Sequence, residues 1–282
     1  MTSFHPLAPR STKRGPALVT GGTSGIGLAF ARQLGAAGYP LVLVARGQER
    51  LEAVRAQFLA NGVPCEVIRA DLGVDDDVAR LCDWMASQQP PIEVFVNNAG
   101  SGLYHPIVTD DFEEIENALS LMGRAPVKLG GVAAQVMREA SHGRIINISS
   151  VQGFVPMGMY AAIKAFIRLW SESLAQELHG TGVSVTAVLP GWVRSGFHAN
   201  SGGRRSGVPD FLWLDPEQVA KAALRAAERG KTRCIPTARY KVIGFLAEKG
   251  PRAAVNAVAR ALRSSKGASG ASRAAAESGG EK

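Results

Sequence analysis

"ALVTGGTSGIG", residues 17–27, runs a short β-rich stretch directly into a glycine-laden turn and then into a helical pattern. "ALVT" (17–20) is apolar without alternation, as a strand covered on both faces should be. Gly21, Gly25 and Gly27 stand where a tight turn, a close backbone approach to a ligand and helix-to-sheet packing each need a missing side chain. Thr23, Ser24 and Ile26 complete the turn, and the free amides at the following helix N-terminus suit an anion such as a pyrophosphate. The spacing is GxxxGxG, not the better-known GxGxxG. Taken alone, such a turn is also compatible with a plain tight connection between strand and helix.

The same alternation repeats along the chain. "LVLVA" (41–45), "CEVIRA" (65–70), "EVFVN" (93–97), "RIINIS" (144–149) and "VSVTAVL" (183–189) are further candidate strands. Helical segments are expected near 25–38, 48–60, 75–88, 110–140 and 159–179, several of them stopped by glycine. Strand and helix alternating this often imply an α/β fold, a doubly wound parallel sheet flanked by helices in one domain. That domain should cover 16–236, with a Gly/Ser-rich loop at 195–214 and a helix from about Asp215 to Arg229 opened by "DPEQ". A basic amphipathic helical extension (237–263), interrupted by "GP" at 250–251, follows a short "RCIP" strand. Residues 1–15 and the low-complexity end 264–282 read as disordered.

Bulk properties narrow the function. The chain has 282 residues, 46% of them apolar and 20% charged, in the range of globular proteins. No apolar run reaches the ~18 residues needed to span a bilayer, and the N-terminal stretch lacks the apolar core of a secretory signal. Three scattered cysteines, Cys65, Cys82 and Cys234, suggest neither a disulfide framework nor a metal site, so a reducing, cytoplasmic setting is expected. Of the net charge of +8, residues 1–16 and 260–282 carry +3 each, leaving +2 for the body. A nucleic-acid partner is therefore not expected.

Further motifs follow in register. "VNNAG" (96–100) ends the fourth strand, "NISS" (147–150) ends the fifth, Tyr160 and Lys164 form YxxxK at the next helix, and "PGWVRS" (190–195) follows the sixth strand. Each lies at the C-terminal end of a strand, where open α/β sheets bind ligands. This set, in this order, resembles the short-chain dehydrogenase/reductase family over roughly residues 15–235. The resemblance implies a Rossmann-like fold, a nicotinamide cofactor and carbonyl/alcohol chemistry. It places cofactor contacts on the first turn (Gly21, Thr23, Ser24, Gly25, Ile26, Gly27) and on Asn98, Ala99 and Gly100. Further contacts fall on Tyr160 and Lys164, and on Pro190, Gly191 and Val193.

The chemistry explains the residue types. A free tyrosine has a pKa near 10, and lowering it to about 7 takes roughly 4 kcal/mol of preferential phenolate stabilisation. A cation on the same helix face, four residues away, is expected to supply much of it, so Lys164 should lower the Tyr160 pKa. An isolated YxxxK would more often be a surface pair. Ser150 is expected to hydrogen-bond the substrate oxygen, with Ser149 as its rival on the same strand end. Ser150 is favoured because the resembled motif puts the active serine second in "SS", three before a glycine, here Gly153. Two departures stand out. Ten positions separate Ser150 from Tyr160, about three fewer than the family commonly has, so the loop "VQGFVPMGM" is short. Ser120, in "SLMG", stands where the family usually carries an asparagine that holds a proton-relay water, so its catalytic part is in doubt.

Cofactor choice turns on the end of the second strand, "LVLVARGQERL". An NAD site normally carries an acid there for the ribose 2′-hydroxyl, whereas this chain has Ala45 followed by Arg46. A guanidinium suits a 2′-phosphate, so NADP(H) is expected over NAD(H). A solvated loop charge is the bland alternative for Arg46. Asp71 matches the family position near the adenine, or else caps the next segment.

Phe154, Met157, Met159, Trp192, Phe197, Phe211 and Trp213 are expected above the nicotinamide, implying a small hydrophobic carbonyl or alcohol substrate. The same residues could instead pack loops onto the core. The C-terminal extension reads as a lid or packing helix, with weak membrane-surface contact as the alternative. Helices 110–140 and 159–179 are those through which family relatives pair, implying a homodimer or homotetramer. The competing function class is a cofactor-binding regulatory or scaffold protein on the same fold, with little turnover.

Overall fold

The computed structural model describes residues 14–194, 209–257 and 259–260. Its strands are β1 (Ala17–Thr20), β2 (Leu41–Ala45), β3 (Cys65–Arg69), β4 (Val94–Asn97), β5 (Gly143–Ile148), β6 (Val183–Val188) and the short β7 (Arg233–Cys234). All pair in parallel in the order β3-β2-β1-β4-β5-β6-β7. The helices are α1 (Gly25–Ala36), α2 (Gln48–Ala60), α3 (Asp75–Ala86), α4 (Glu113–Leu119), α5 (Ala125–Glu139), α6 (Met159–Glu177), α7 (Pro216–Glu228) and α8 (Ala238–Lys249).

Strand side chains alternate between two cores. Val19, Leu41, Leu43, Val96 and Ile146 meet Phe30 and Leu34 of α1 and Ala220 of α7. Leu18, Val42, Val44, Phe95 and Ile145 meet Trp84 of α3 and Leu129 of α5. Both sets are buried, which is why the strands read as unbroken apolar runs in the sequence. Each such side chain contributes on the order of 1.5–3 kcal/mol by leaving water. Strand order reverses at β1, which has β2 on one side and β4 on the other. The crevice at the C-terminal ends of β1 and β4 is thus the topological switch point, where this class of sheet binds ligands.

Two local readings need correction. The single helix expected over 110–140 is α4 and α5 joined by a π-helical turn, Ser120–Arg124. Pro126, in the first turn of α5, has no N–H to give the helical ladder, and an apolar periodicity averaged over four turns hides that break. At the other end, Arg14 is not loose: its Nη1 donates to Ala37 O at 2.8 Å and its guanidinium stacks over Tyr39. The expectations for residues 1–13 and 261–282, and for 195–208 of the long loop, lie outside the described residues. Asp215 caps α7 as its sequence suggests, accepting from the Glu217 N–H at 2.7 Å, with Pro216 in the first turn. Helical backbone resumes at 252–257 and 259–260 after the Gly250–Pro251 break. Among the described residues no helix is long and apolar enough to cross a membrane.

Candidate active site

The turn after β1 and the segment after β4 are knotted together by one hydroxyl. Thr20 Oγ1 accepts from the Asn98 N–H (2.9 Å) and the Ala99 N–H (3.0 Å), and Asn98 Nδ2 donates to Thr20 O at 2.9 Å. Gly21 (φ 66°) and Gly25 (φ 52°) adopt the left-handed backbone that favours glycine. A Cβ on Gly21 would lie 2.9 Å from Asn98 Nδ2, and one on Gly27 would run into the carbonyl of Gly21. Ser24 stands at the α1 N-cap with extended backbone, and its side chain caps nothing. The first amides of α1 are therefore left to an external acceptor, so the turn fits a phosphate-bearing cofactor. The structural part of Thr20, last residue of its strand, was missed at the sequence level.

Strand β5 delivers both serines, and they divide the work. Ser149, buried, donates to the Lys164 carbonyl at 2.7 Å and so ties β5 to α6. Ser150 starts a one-turn 3-10 helix (Val151–Phe154), accepts from the Gln152 N–H at 3.1 Å, and reaches Pro190 O only at 3.4 Å. Its hydroxyl also hydrogen-bonds the Tyr160 phenol. The short loop thus leaves serine and tyrosine in contact. Gly153 makes this compression workable, since a Cβ there would lie 2.8 Å from Ala165 N on α6.

Lys164 is buried one helical turn beyond Tyr160. Its Nζ donates to Ile148 O at 3.0 Å and lies 5.6 Å from the Tyr160 ring centroid. Burial lowers the Lys164 pKa to about 8. The expected lowering of Tyr160 is not what the structure shows. Desolvation drives the phenol upward, the nearby Tyr104 phenol adds to this, and the Ser150 hydrogen bond offsets part of it. The ammonium hydrogen-bonds the Ile148 carbonyl while lying over the Tyr160 ring, and burial of the phenol outweighs it, so Tyr160 is held in its protonated form. Tyr104, on the loop after β4, had no signal in the motifs.

Ser120 does not join this group. Its hydroxyl accepts from Arg124 Nη2 at 3.0 Å, and Arg124 is in turn paired with Asp75 of α3 at 3.0 Å. The π-helical turn presents Met122 to the site instead, packed with Ala118 and Ile163 against Tyr160. Gly100 lies under Met122 as well.

Arg46 leaves β2 as an exposed side chain, 3.9 Å from Asp71, with its carbonyl accepting from Arg69. Asp71 itself folds the next segment, accepting from the Gly73 N–H at 2.9 Å while its own N–H donates to Asp77. Pro190, Gly191 and Val193 follow β6, and Val193 bridges in parallel to Leu214. Of the expected substrate wall, Phe154 is core: it is buried under the Arg168 guanidinium and beside Gly244. Met157, Met159 and Trp192 are partly exposed, Phe211 is exposed, and Phe197 lies outside the described residues.

A model of the short chain dehydrogenase family matches residues 16–205. The chain belongs to that family. An uncharacterized oxidoreductase of Staphylococcus epidermidis is 33% identical over 180 residues, covering 63% of this chain and 77% of that protein. Among solved structures, a short-chain dehydrogenase from Sphingobium yanoikuyae in complex with NADPH superposes with a TM-score of 0.76 at 32% identity. That match covers 82% of this chain and 92% of the other. A bulky-bulky ketone specific alcohol dehydrogenase from Comamonas testosteroni gives 0.72 at 30% identity, over 85% and 94% of the two chains. In this short-chain dehydrogenase, Ser150, Tyr160 and Lys164 lie together at the end of β5 and the start of α6, and Ser120 stands apart from them.

Proposed function

We propose that this short-chain dehydrogenase is an NADP(H)-dependent oxidoreductase that interconverts a hydrophobic ketone or aldehyde and its alcohol. The observation that carries the reading is the meeting of the Ser150 hydroxyl, the Tyr160 phenol and the Lys164 ammonium at the C-terminal end of β5 and the start of α6. The glycine turn after β1 would hold the pyrophosphate, Arg46 the 2′-phosphate, and Lys164 the nicotinamide ribose. Ala45 offers no carboxylate to an NAD ribose, which disfavours NAD(H). When bound, the nicotinamide supplies or accepts the hydride.

The chain's own groups handle the oxygen and the proton. In the reductive direction Tyr160, kept protonated by its surroundings, gives its proton to the carbonyl oxygen as that oxygen gains negative charge. Ser150 exchanges its long bond to Pro190 O for one to the same oxygen and steadies the developing charge. Lys164 opposes the charge left on the phenolate. Oxidation runs these transfers backward. Exposed Phe166 and Leu169 on α6 suit pairing of two copies across that helix.

The test is Tyr160→Phe, with NADPH binding followed by cofactor fluorescence and turnover by NADPH oxidation across bulky ketones. Retained binding with turnover reduced by about two orders of magnitude or more supports the reading. A wild type that binds NADPH and reduces none of the ketones, with a variant indistinguishable from it, would instead support a regulatory or scaffold protein.

A further inference from the structure

Helix α8 is apolar on two opposite sides, and only one of them faces the protein. Tyr240 and Gly244 point inward and are buried. At about 100° per residue, Val242, Phe245 and Leu246 fall together on the far side. They are 60%, 63% and 58% exposed, and Ile243 beside them is 39% exposed. A helix apolar all round is normally covered all round, so the outward side calls for a partner.

The charges around that side identify the partner's chemistry. Arg239, Lys241 and Lys249 of α8 are all exposed, as are Arg252 and Arg260 in the segment that follows it. The one acid between 238 and 260, Glu248, is drawn back into a pair with Arg233 at 3.0 Å, alongside Glu172. A second copy of this chain is disfavoured, because a two-fold contact through α8 would set its three cations against themselves. The surface also extends sideways. Arg239 Nη2 donates to Trp213 O at 3.3 Å and the Tyr240 hydroxyl donates to Leu212 O at 2.7 Å, which fastens the segment carrying the exposed Phe211 to the start of α8. Apolar side chains flanked by long cationic ones, whose stems lie along apolar surface while their heads reach phosphates, match a lipid interface.

We propose that the outward side of α8 docks on an anionic lipid bilayer, burying Val242, Phe245 and Leu246 among the headgroups. The inference does not rest on the proposed activity, since it uses neither the cofactor turn nor the Ser150–Tyr160–Lys164 group.

Co-sedimentation of the full chain with phosphatidylcholine vesicles, and with mixed phosphatidylcholine–phosphatidylglycerol vesicles, tests it. Binding to the mixed vesicles alone is expected, weakening at high salt. The triple variant Val242→Ser, Phe245→Ser, Leu246→Ser should lose binding at least tenfold. Lys241→Gln with Lys249→Gln should weaken it several-fold. All five positions are exposed, so an unchanged thermal midpoint checks that the variants still fold. No binding to the mixed vesicles overturns the proposal. So does binding that survives the triple variant, which would come from the basic ends of the chain. Light scattering that shows the triple variant splitting an oligomer would also overturn it, making the side an interface between copies.

Discussion

The ring of Tyr240 occupies the space that a side chain on Gly191 would need, and its hydroxyl joins the Trp192 N–H to the Leu212 carbonyl. One fully buried phenol from α8 therefore fixes the segment after β6, where the resemblance puts cofactor contacts, to the segment before α7. Tyr240→Phe keeps the ring and strands both partners, a loss of about 1–3 kcal/mol. The expected outcome is a thermal midpoint lower by a few degrees, at roughly 2–4 °C per kcal/mol for a domain of this size. Gly191→Ala should cost more, because its methyl overlaps the ring. A Gly191→Ala midpoint equal to wild type would show that the ring does not sit there.

The two serines separate once turnover is measured beside stability. Ser149→Ala removes a buried hydroxyl that holds the Lys164 carbonyl, and stability should fall by about 1–2 kcal/mol. Ser150→Ala removes the cap on the Gln152 N–H and should cost about 1 kcal/mol, but unlike Ser149→Ala it should lower kcat by about 100-fold or more, since its work is on the substrate oxygen. Reversed effects on kcat would assign the active hydroxyl to Ser149.

This division shows how far the sequence reaches. Strand runs such as "LVLVA" revealed a two-sided sheet because burial on both faces leaves no polar alternation, and that sheet places every motif at one edge. Which serine faces the tyrosine depends on strand alternation plus a one-turn helix after it, and family likeness alone favoured Ser150. The Tyr160 environment was less legible. YxxxK spacing guarantees a shared helix face but not which acceptor the ammonium takes, and here Ile148 O takes it. Ser120 was read from its place in a motif, whereas the π-helical turn beside Pro126 decides where its hydroxyl points. Tyr240 was invisible for a different reason: its contacts lie 28 and 48 positions away, beyond any local pattern.

Because Arg124 holds the Ser120 hydroxyl away from Tyr160, Ser120→Ala should change kcat by less than about twofold, within the ±0.5 kcal/mol usual for surface substitutions. A steady-state comparison at saturating NADPH and ketone checks this. A fall of tenfold or more would place Ser120 in the proton path despite its contact with Arg124.

Arg46 is paired only loosely, at 3.9 Å from Asp71, and is free to turn toward a 2′-phosphate. A charge-assisted bond of about 1.5–3 kcal/mol corresponds to roughly 10–100-fold in affinity. Arg46→Ala should weaken NADPH binding by that factor and leave NADH binding unchanged. Equal losses for both cofactors would mean that Arg46 serves the fold and not the phosphate.

Lys164 sets a pH dependence whose sign follows from its burial. Its pKa in the folded chain is about 8, below the ordinary 10.5, so between these values the unfolded chain binds more protons than the folded one. Stability from this group therefore rises with pH across the window, and below pH 8 the full cost of burying the ammonium is present. Tyr160 works the other way, but only above its ordinary value of 10, where the unfolded phenol ionises first. Between pH 8 and about 10 the lysine acts alone among the two, and its own contribution to the unfolding free energy should rise by on the order of 2 kcal/mol. The half-buried Cys82 and buried Cys234 thiols, both raised from their ordinary value, work against it in the chain as a whole. Urea midpoints of the wild type and Lys164→Met at pH 8 and pH 10 measure it. The wild type should gain over the variant as pH rises, and parallel curves would mean that the ammonium is no more costly to bury here than in water.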